Sequence, residues 1–175
     1  MGGLCSKKTR EVRVHELAFM GLCTEGAYNN PGLMDEIFRK AEEAGHADQI
    51  FNAKDDDGDL PIHKAALMGN PTVIEWIIAK WKDAGHELDI NVIDHNGYTP
   101  LYLTCYKGQI GVDSPQAGIK AHLAKQKRME TIQLLINHGA EVNYQTPKLK
   151  MTPLHWAAYS GEADIVKLLL DNGAA

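Results

Sequence analysis

Asp94-His95-Asn96-Gly97-Tyr98-Thr99-Pro100-Leu101-Tyr102 is the stretch whose chemistry decides the fold. Asp, Asn and Gly together favour a tight turn, because Asp accepts hydrogen bonds from the backbone that follows and Gly takes the left-handed conformation. Thr99 then supplies a side-chain oxygen for the free N–H groups at a helix start. Pro100 sits in the first helical turn, where its missing N–H needs no partner. The unit is therefore a turn that launches a helix.

The same unit recurs in both directions along the chain. Upstream it reads Asp55-Asp56-Asp57-Gly58-Asp59-Leu60-Pro61-Ile62-His63, and downstream Thr152-Pro153-Leu154-His155 repeats its second half. Four helical segments align without gaps: His15 to Gly21, His63 to Gly69, Tyr102 to Gly108 and His155 to Gly161. A second helix follows in each unit, most plainly at Ala163-Asp-Ile-Val-Lys-Leu-Leu-Leu170 and at Glu130-Thr-Ile-Gln-Leu-Leu-Ile136. Each of these ends near a glycine, Gly173 or Gly139, which permits the left-handed residue that closes a helix. In the first unit the second helix is expected from Pro31 to Ala44, with Met34, Ile37, Phe38 and Ala41 turned inward.

These residues closely resemble the ankyrin family and its turn-plus-helix signature of about 33 residues. The resemblance implies an all-α ankyrin-repeat solenoid of about four helix-turn-helix units joined by short β-hairpin-like fingers. The expected units are residues 12–51, 52–90, 91–142 and 143–175, preceded by a flexible, basic, lipidated head over residues 1–11. The first unit lacks Thr-Pro and reads as an N-terminal cap, whose outer face meets water. The last ends at Gly173-Ala174-Ala175 without a polar capping repeat.

Two intervals exceed the nominal repeat. Pro61 and Pro100 are 39 residues apart, and Pro100 and Pro153 are 53 apart. The first excess falls after Trp76-Ile-Ile-Ala-Lys-Trp81, and the second is an insertion over residues 109–127. This insertion opens on turn formers, Gly111, Asp113, Ser114 and Pro115. Ile119, Leu123, Met129, Ile132 and Leu135 then follow helical spacing, so the third outer helix is expected to reach back towards Ala117. Lys120, Lys125, Lys127 and Arg128 ride on that extension, either as a solvated face or as a docking site for an acidic partner or a membrane surface. The third finger, Asn143 to Met151, lacks the Asp-x-x-Gly turn, so its tip is not expected to be a standard hairpin.

Composition excludes several classes of function. A formal net charge of −5 argues against nucleic acid as a partner, although Lys7, Lys8, Arg10 and Arg13 make the first segment basic. Cys5, Cys23 and Cys105 form no C-x-x-C pair, which argues against a disulfide framework or a thiolate metal site and for a reducing compartment. His15-Glu16 fails the H-E-x-x-H zinc pattern because Phe19 holds its last position. The acidic run at Asp55 fails as a calcium loop, with Ala53 and Lys64 at its first and last ligand positions. No phosphate loop or nucleophile elbow is present in the sequence. The expectation is of no enzyme activity, no catalytic residue, no metal, no cofactor, no nucleic acid and no small-molecule substrate. In the family resemblance, His at the position of His15, His63 and His155 is structural, bonding to neighbouring backbone and Thr.

By the same resemblance, partners rest on finger tips and on exposed positions of the inner helices. The two positions before each closing Gly are Phe19 and Met20, Leu67 and Met68, Tyr106 and Lys107, and Tyr159 and Ser160. Such an apolar and aromatic row is typical of an adaptable binding surface. The partner-binding residues expected are Leu67, Met68, His95, Asn96, Tyr98, Tyr106, Lys107, Lys148, Lys150 and Tyr159, with other proteins as the partners.

The head carries a separate signal. Met1-Gly2-Gly3-Leu4-Cys5-Ser6 matches the myristoylation pattern at Gly2. One myristoyl chain holds a membrane weakly, so a second signal is needed; palmitoylation of Cys5 and the basic Lys7 and Lys8 supply two. The expected location is a cytoplasmic membrane face, reached by a lipid-anchored adaptor. Two other roles fit the repeats: a structural subunit of a large assembly, or the regulatory ankyrin part of a longer enzyme.

Overall fold

The structure is a computed structural model that describes residues 2–23, 31–106 and 117–175, with side chains described from residue 12 onward outside 24–31 and 107–121. The described residues form helices α1 (Gly2–Gly21), α2 (Pro31–Glu43), α3 (Ala47–Phe51), α4 (Pro61–Leu67) and α5 (Pro71–Asp83), followed by α6 (Pro100–Tyr106), α7 (Ala117–Asn137), α8 (Pro153–Tyr159) and α9 (Ala163–Asp171). The short helices α4, α6 and α8 pack in succession, and α1 packs on α4, so these four make the inner row. The longer α5, α7 and α9 pack in succession as the outer row.

Proline starts α4, α5, α6 and α8, as the free first-turn position allows. Thr152 caps α8 reciprocally: its oxygen accepts from His155 N–H, and His155 Nδ1 accepts from Thr152 N–H at 3.1 Å. Asn70 caps α5 through Val73 N–H at 3.3 Å. One continuous core runs between the rows, from Phe19, Met34, Phe38 and Ile50 through Ile74, Leu101 and Ile132 to Ile165 and Leu169.

The outer helix of the first unit matches its expected span, with Met34, Phe38 and Ala41 buried and Ile37 packed against the core. α7 begins at Ala117, as the helical spacing of the insertion implies. Two expectations, of a flexible head and of hairpin-like fingers, need correction, and two further features were not anticipated. Residues read as a flexible head are helical backbone, because α1 starts at Gly2. The short α3 was not anticipated; it carries Ile50 and Phe51 into the core between the first two units. Leu123 is 51% exposed: the inward stripe of α7 begins further on, at Met129 and Ile132, where α5 and α6 cover it. The fingers contain no strand among the described residues; each closes instead as a turn with its own side-chain bonds. The loop of the insertion through Gly111 and Pro115 lies outside the described residues.

Each finger is built on one acceptor. Asp55 Oδ1 accepts from Asp57 N–H at 3.0 Å and Asp59 N–H at 2.9 Å. Asp94 Oδ1 accepts from Asn96 and Tyr98 N–H, both at 2.8 Å. In the third finger Thr146 takes this place, its Oγ1 accepting from Met151 N–H at 3.1 Å. Gly58 and Gly97 turn the first two fingers at φ of +79° each, whereas Lys150 makes the left-handed turn of the third at φ +53°.

The fingers also abut one another. His95 N–H donates to the Asp57 carbonyl at 3.2 Å, and Tyr144 Oη donates to the Gly97 carbonyl at 2.9 Å. A Cβ placed on Gly97 would stand 2.5 Å from Pro147, so that contact requires glycine. The three tips therefore form a contiguous row.

Candidate protein-binding surface

Across α6, α8 and the second finger, five aromatic rings touch in sequence. Tyr98 stacks on Tyr102 with centroids 4.7 Å apart and lies nearly parallel to Tyr106 at 6.3 Å. Tyr106 meets Trp156 edge to face at 4.6 Å, and Trp156 meets Tyr159 in the same manner at 5.4 Å. Such edge-to-face pairs use the ring quadrupoles favourably and contribute about 0.5–1.5 kcal/mol each beyond burial.

The cluster has a buried base and an open top. Tyr102 is buried, and its hydroxyl accepts the indole N–H of Trp156. Burial raises the pKa of the Tyr102 phenol above its ordinary value, against the lowering effect of that indole donor, so the group stays neutral. Tyr106 is 44% exposed and Tyr159 is 70% exposed. Tyr98 and Trp156 are half-buried between them. A rigid base that locks exposed tyrosines gives contact area at little entropic cost, since each has two rotatable angles.

The expected binding residues thus divide. Tyr98, Tyr106 and Tyr159 come together in one cluster. His95 and Asn96 are exposed at the second tip, and Lys148 and Lys150 at the third. Leu67 and Met68 are half-buried where α4 meets α6, so they line the surface less than their position suggests. Phe19 and Met20, from the same register, are buried in the core. Lys107 lies outside the described residues, as does the side chain of Cys5, and of Gly2 only the backbone is described. Trp156 and Tyr102 were missed. Trp156 stands beside the shared His register, where the other units have Glu16, Lys64 and Leu103, so no common pattern marks it.

The histidines have structural partners. His63 is fully buried; its Nδ1 accepts from Leu60 N–H at 3.1 Å and its Nε2 donates to the Val92 carbonyl at 3.0 Å, tying α4 to the next unit. Burial lowers its pKa, outweighing the nearby Asp59 and the Val92 carbonyl, which raise it. His155 bonds Thr152 as the family pattern implies, at 2.7 Å. His15 departs from that pattern: its Nδ1 lies 2.8 Å from Nε2 of His46, with the rings stacked. Among the described residues no three His, Cys, Asp or Glu side chains gather as metal ligands. Burial pushes the thiols of Cys23 and Cys105 up to about 12, which keeps both protonated.

The basic extension of α7 is largely engaged. Lys125 pairs with Asp164, and Arg128 with Glu162, the residue that precedes α9. Part of the expected solvated or docking face is therefore an internal tie between the third and fourth units. Sequence periodicity sees one helix at a time and could not reveal acids that arrive from the next repeat.

Residues 121–170 match the model for ankyrin repeats in many copies. The fold is an ankyrin-repeat solenoid. The chain is similar to the probable 26S proteasome regulatory subunit p28 of Saccharomyces cerevisiae, 29% identical in an alignment of 157 residues that covers 80% of this chain and 67% of that protein. It is 27% identical to human NF-kappa-B inhibitor zeta in an alignment of 128 residues that covers 69% of this chain and 18% of that protein. Delta-latroinsectotoxin-Lt1a of Latrodectus tredecimguttatus is 33% identical over 98 residues, 56% of this chain and 6% of that protein. The chain thus spans 67% of the first relative's length and 18% or less of the other two.

Proposed function

We propose that this chain is a non-enzymatic protein-binding scaffold whose partner rests on Tyr98, Tyr106, Trp156 and Tyr159. The observation that carries this reading is the aromatic cluster: two large exposed tyrosines held by a part-buried Tyr102–Trp156 bond at the junction of two repeats. Exposed aromatics need no explanation singly, but a contiguous, pre-organised group matches the anchors that dominate protein interfaces. The similarity to a regulatory subunit and to an inhibitor is consistent with work done through binding.

The same proposal places the scaffold at a cytoplasmic membrane face, with myristate on Gly2 and palmitate on Cys5. The motif Met1-Gly2-Gly3-Leu4-Cys5-Ser6 and the lysines after it support this. Fractionation of cells expressing Gly2→Ala tests it: the variant moves to the supernatant, and unchanged membrane partition rejects the anchor.

A second reading is a permanent subunit of a large assembly. It is favoured by the likeness to p28 over 80% of the chain. Velocity sedimentation of the native protein separates the two, because a permanent subunit leaves almost no free pool whereas an adaptor leaves a substantial one.

A further inference from the structure

The three finger tips carry different charge, and their order is fixed by their contacts. In the first finger Asp55, Asp56, Asp57 and Asp59 outnumber Lys54 and Lys64, leaving two negative charges. Lys64 lies between Asp55 and Asp59, at 2.5 and 2.7 Å, so the negative charge is carried outward by the exposed Asp56 and Asp57. The second tip presents His95 and Asn96 above a buried Asp94. The third presents Lys148 and Lys150 with the exposed Leu149 between them, and no acid from Gln145 to Met151. A backbone bond from His95 to Asp57 and the Tyr144 hydroxyl's bond to the Gly97 carbonyl hold this sequence of charges as one continuous edge.

We infer that this edge binds an extended partner segment in one orientation, with its basic end on Asp56 and Asp57 and its acidic end on Lys148 and Lys150. The inference rests on the aromatic-surface reading, because Tyr98 and the inner-helix tyrosines supply the apolar contact that holds the middle of the segment. Charge complementarity of this kind sets register and association rate more than raw affinity, and it penalises the reversed partner. Packed helices are about 10 Å apart, so two repeat steps separate the outer tips by roughly 20 Å. An extended chain covers that with about six residues at about 3.3 Å each. The partner's sequence is therefore a basic cluster and an acidic cluster flanking an apolar or proline-containing stretch of about that length.

The test uses a synthetic peptide of that form: lysines at one end, a leucine and proline spacer, glutamates at the other, and a nitroxide label on the acidic end. Bound to the full chain at low salt, the label is expected to broaden backbone amide signals of residues 146–151 and to leave those of 55–59 sharp. In the variant Asp56→Lys, Asp57→Lys, Lys148→Glu, Lys150→Glu the broadening is expected to move to the first finger. With Lys148→Glu and Lys150→Glu alone, affinity is expected to fall on the order of tenfold. No binding, equal broadening at both tips, or a pattern indifferent to the charge reversal overturns the orientation. The aromatic reading is separated by Tyr106→Ala: oriented binding that survives it supports the charge edge and removes the aromatic anchor, whereas unoriented binding that it abolishes does the reverse.

Discussion

The indole N–H of Trp156 donates to the hydroxyl of Tyr102, so one bond joins the inner helices of the third and fourth repeats beneath the exposed tyrosines. Tyr102 occupies the register where His63 and His155 stand in neighbouring repeats. In those repeats the ring bonds to backbone or to Thr152; here it reaches the next helix. Replacing Trp156 with Ala removes the ring between Tyr102, Tyr106 and Tyr159 and takes the indole donor from Tyr102. A loss of about 3 kcal/mol is expected, together with looser Tyr106 and Tyr159 rings. Chemical denaturation measures the first effect, and aromatic side-chain relaxation the second.

Arg128 and Glu162 pair with side chains only 13% and 15% exposed. Removing one partner leaves the other charge largely buried and unmatched. Glu162→Ala is expected to cost about 2–3 kcal/mol and to expose the fourth repeat to limited proteolysis before the rest. Arg128→Met with Glu162→Met is expected to recover much of that loss, since the pair is then replaced by apolar packing.

A turn glycine and a turn lysine give opposite outcomes. Gly58→Ala forces a side chain into φ +79° and against the His95 ring, and is expected to destabilise by more than about 1 kcal/mol. Lys150 already bears the left-handed strain at φ +53°. Lys150→Gly is expected to raise stability by up to about 1 kcal/mol while weakening capture of an acidic partner. Paired thermal melts and binding titrations check both.

The buried His63 predicts a direction with pH. Its folded pKa is lowered, chiefly by burial, whereas the unfolded chain titrates near the ordinary value of about 6.5. Above that pH both states are neutral and the residue adds no pH dependence. As pH falls below about 6.5 the unfolded chain takes up a proton that the folded chain resists, so stability declines towards the folded pKa. Melting temperatures between pH 7.5 and 5.5 should fall for the native chain, and fall less steeply for His63→Asn, which starts lower because it loses the Leu60 and Val92 bonds.

Most of the fold was legible because proline and glycine punctuate it. Pro61, Pro100 and Pro153 mark helix starts, and Gly69, Gly139, Gly161 and Gly173 take the left-handed turns after helices. The binding surface was legible in part. Tyr106 and Tyr159 share a register position, and alignment of the repeats finds both. Trp156 shares no such position, and its bond to Tyr102 spans 54 residues, so only packing reveals it. The ties from Lys125 and Arg128 to the fourth repeat were hidden for the same reason, and they turned an apparently free basic face into a repeat junction.

The central claim is that partners are held by the exposed tyrosines. The most direct measurement is quantitative affinity capture by the full chain with an intact N-terminus, compared with the double variant Tyr106→Ala, Tyr159→Ala. Both side chains are largely outside the core, at 44% and 70% exposure, so the variant is expected to melt within a few degrees of the native protein. The account predicts that the partners recovered by the native chain are depleted at least tenfold by the variant. Recovery of the same partners in the same amounts by a folded double variant would contradict it.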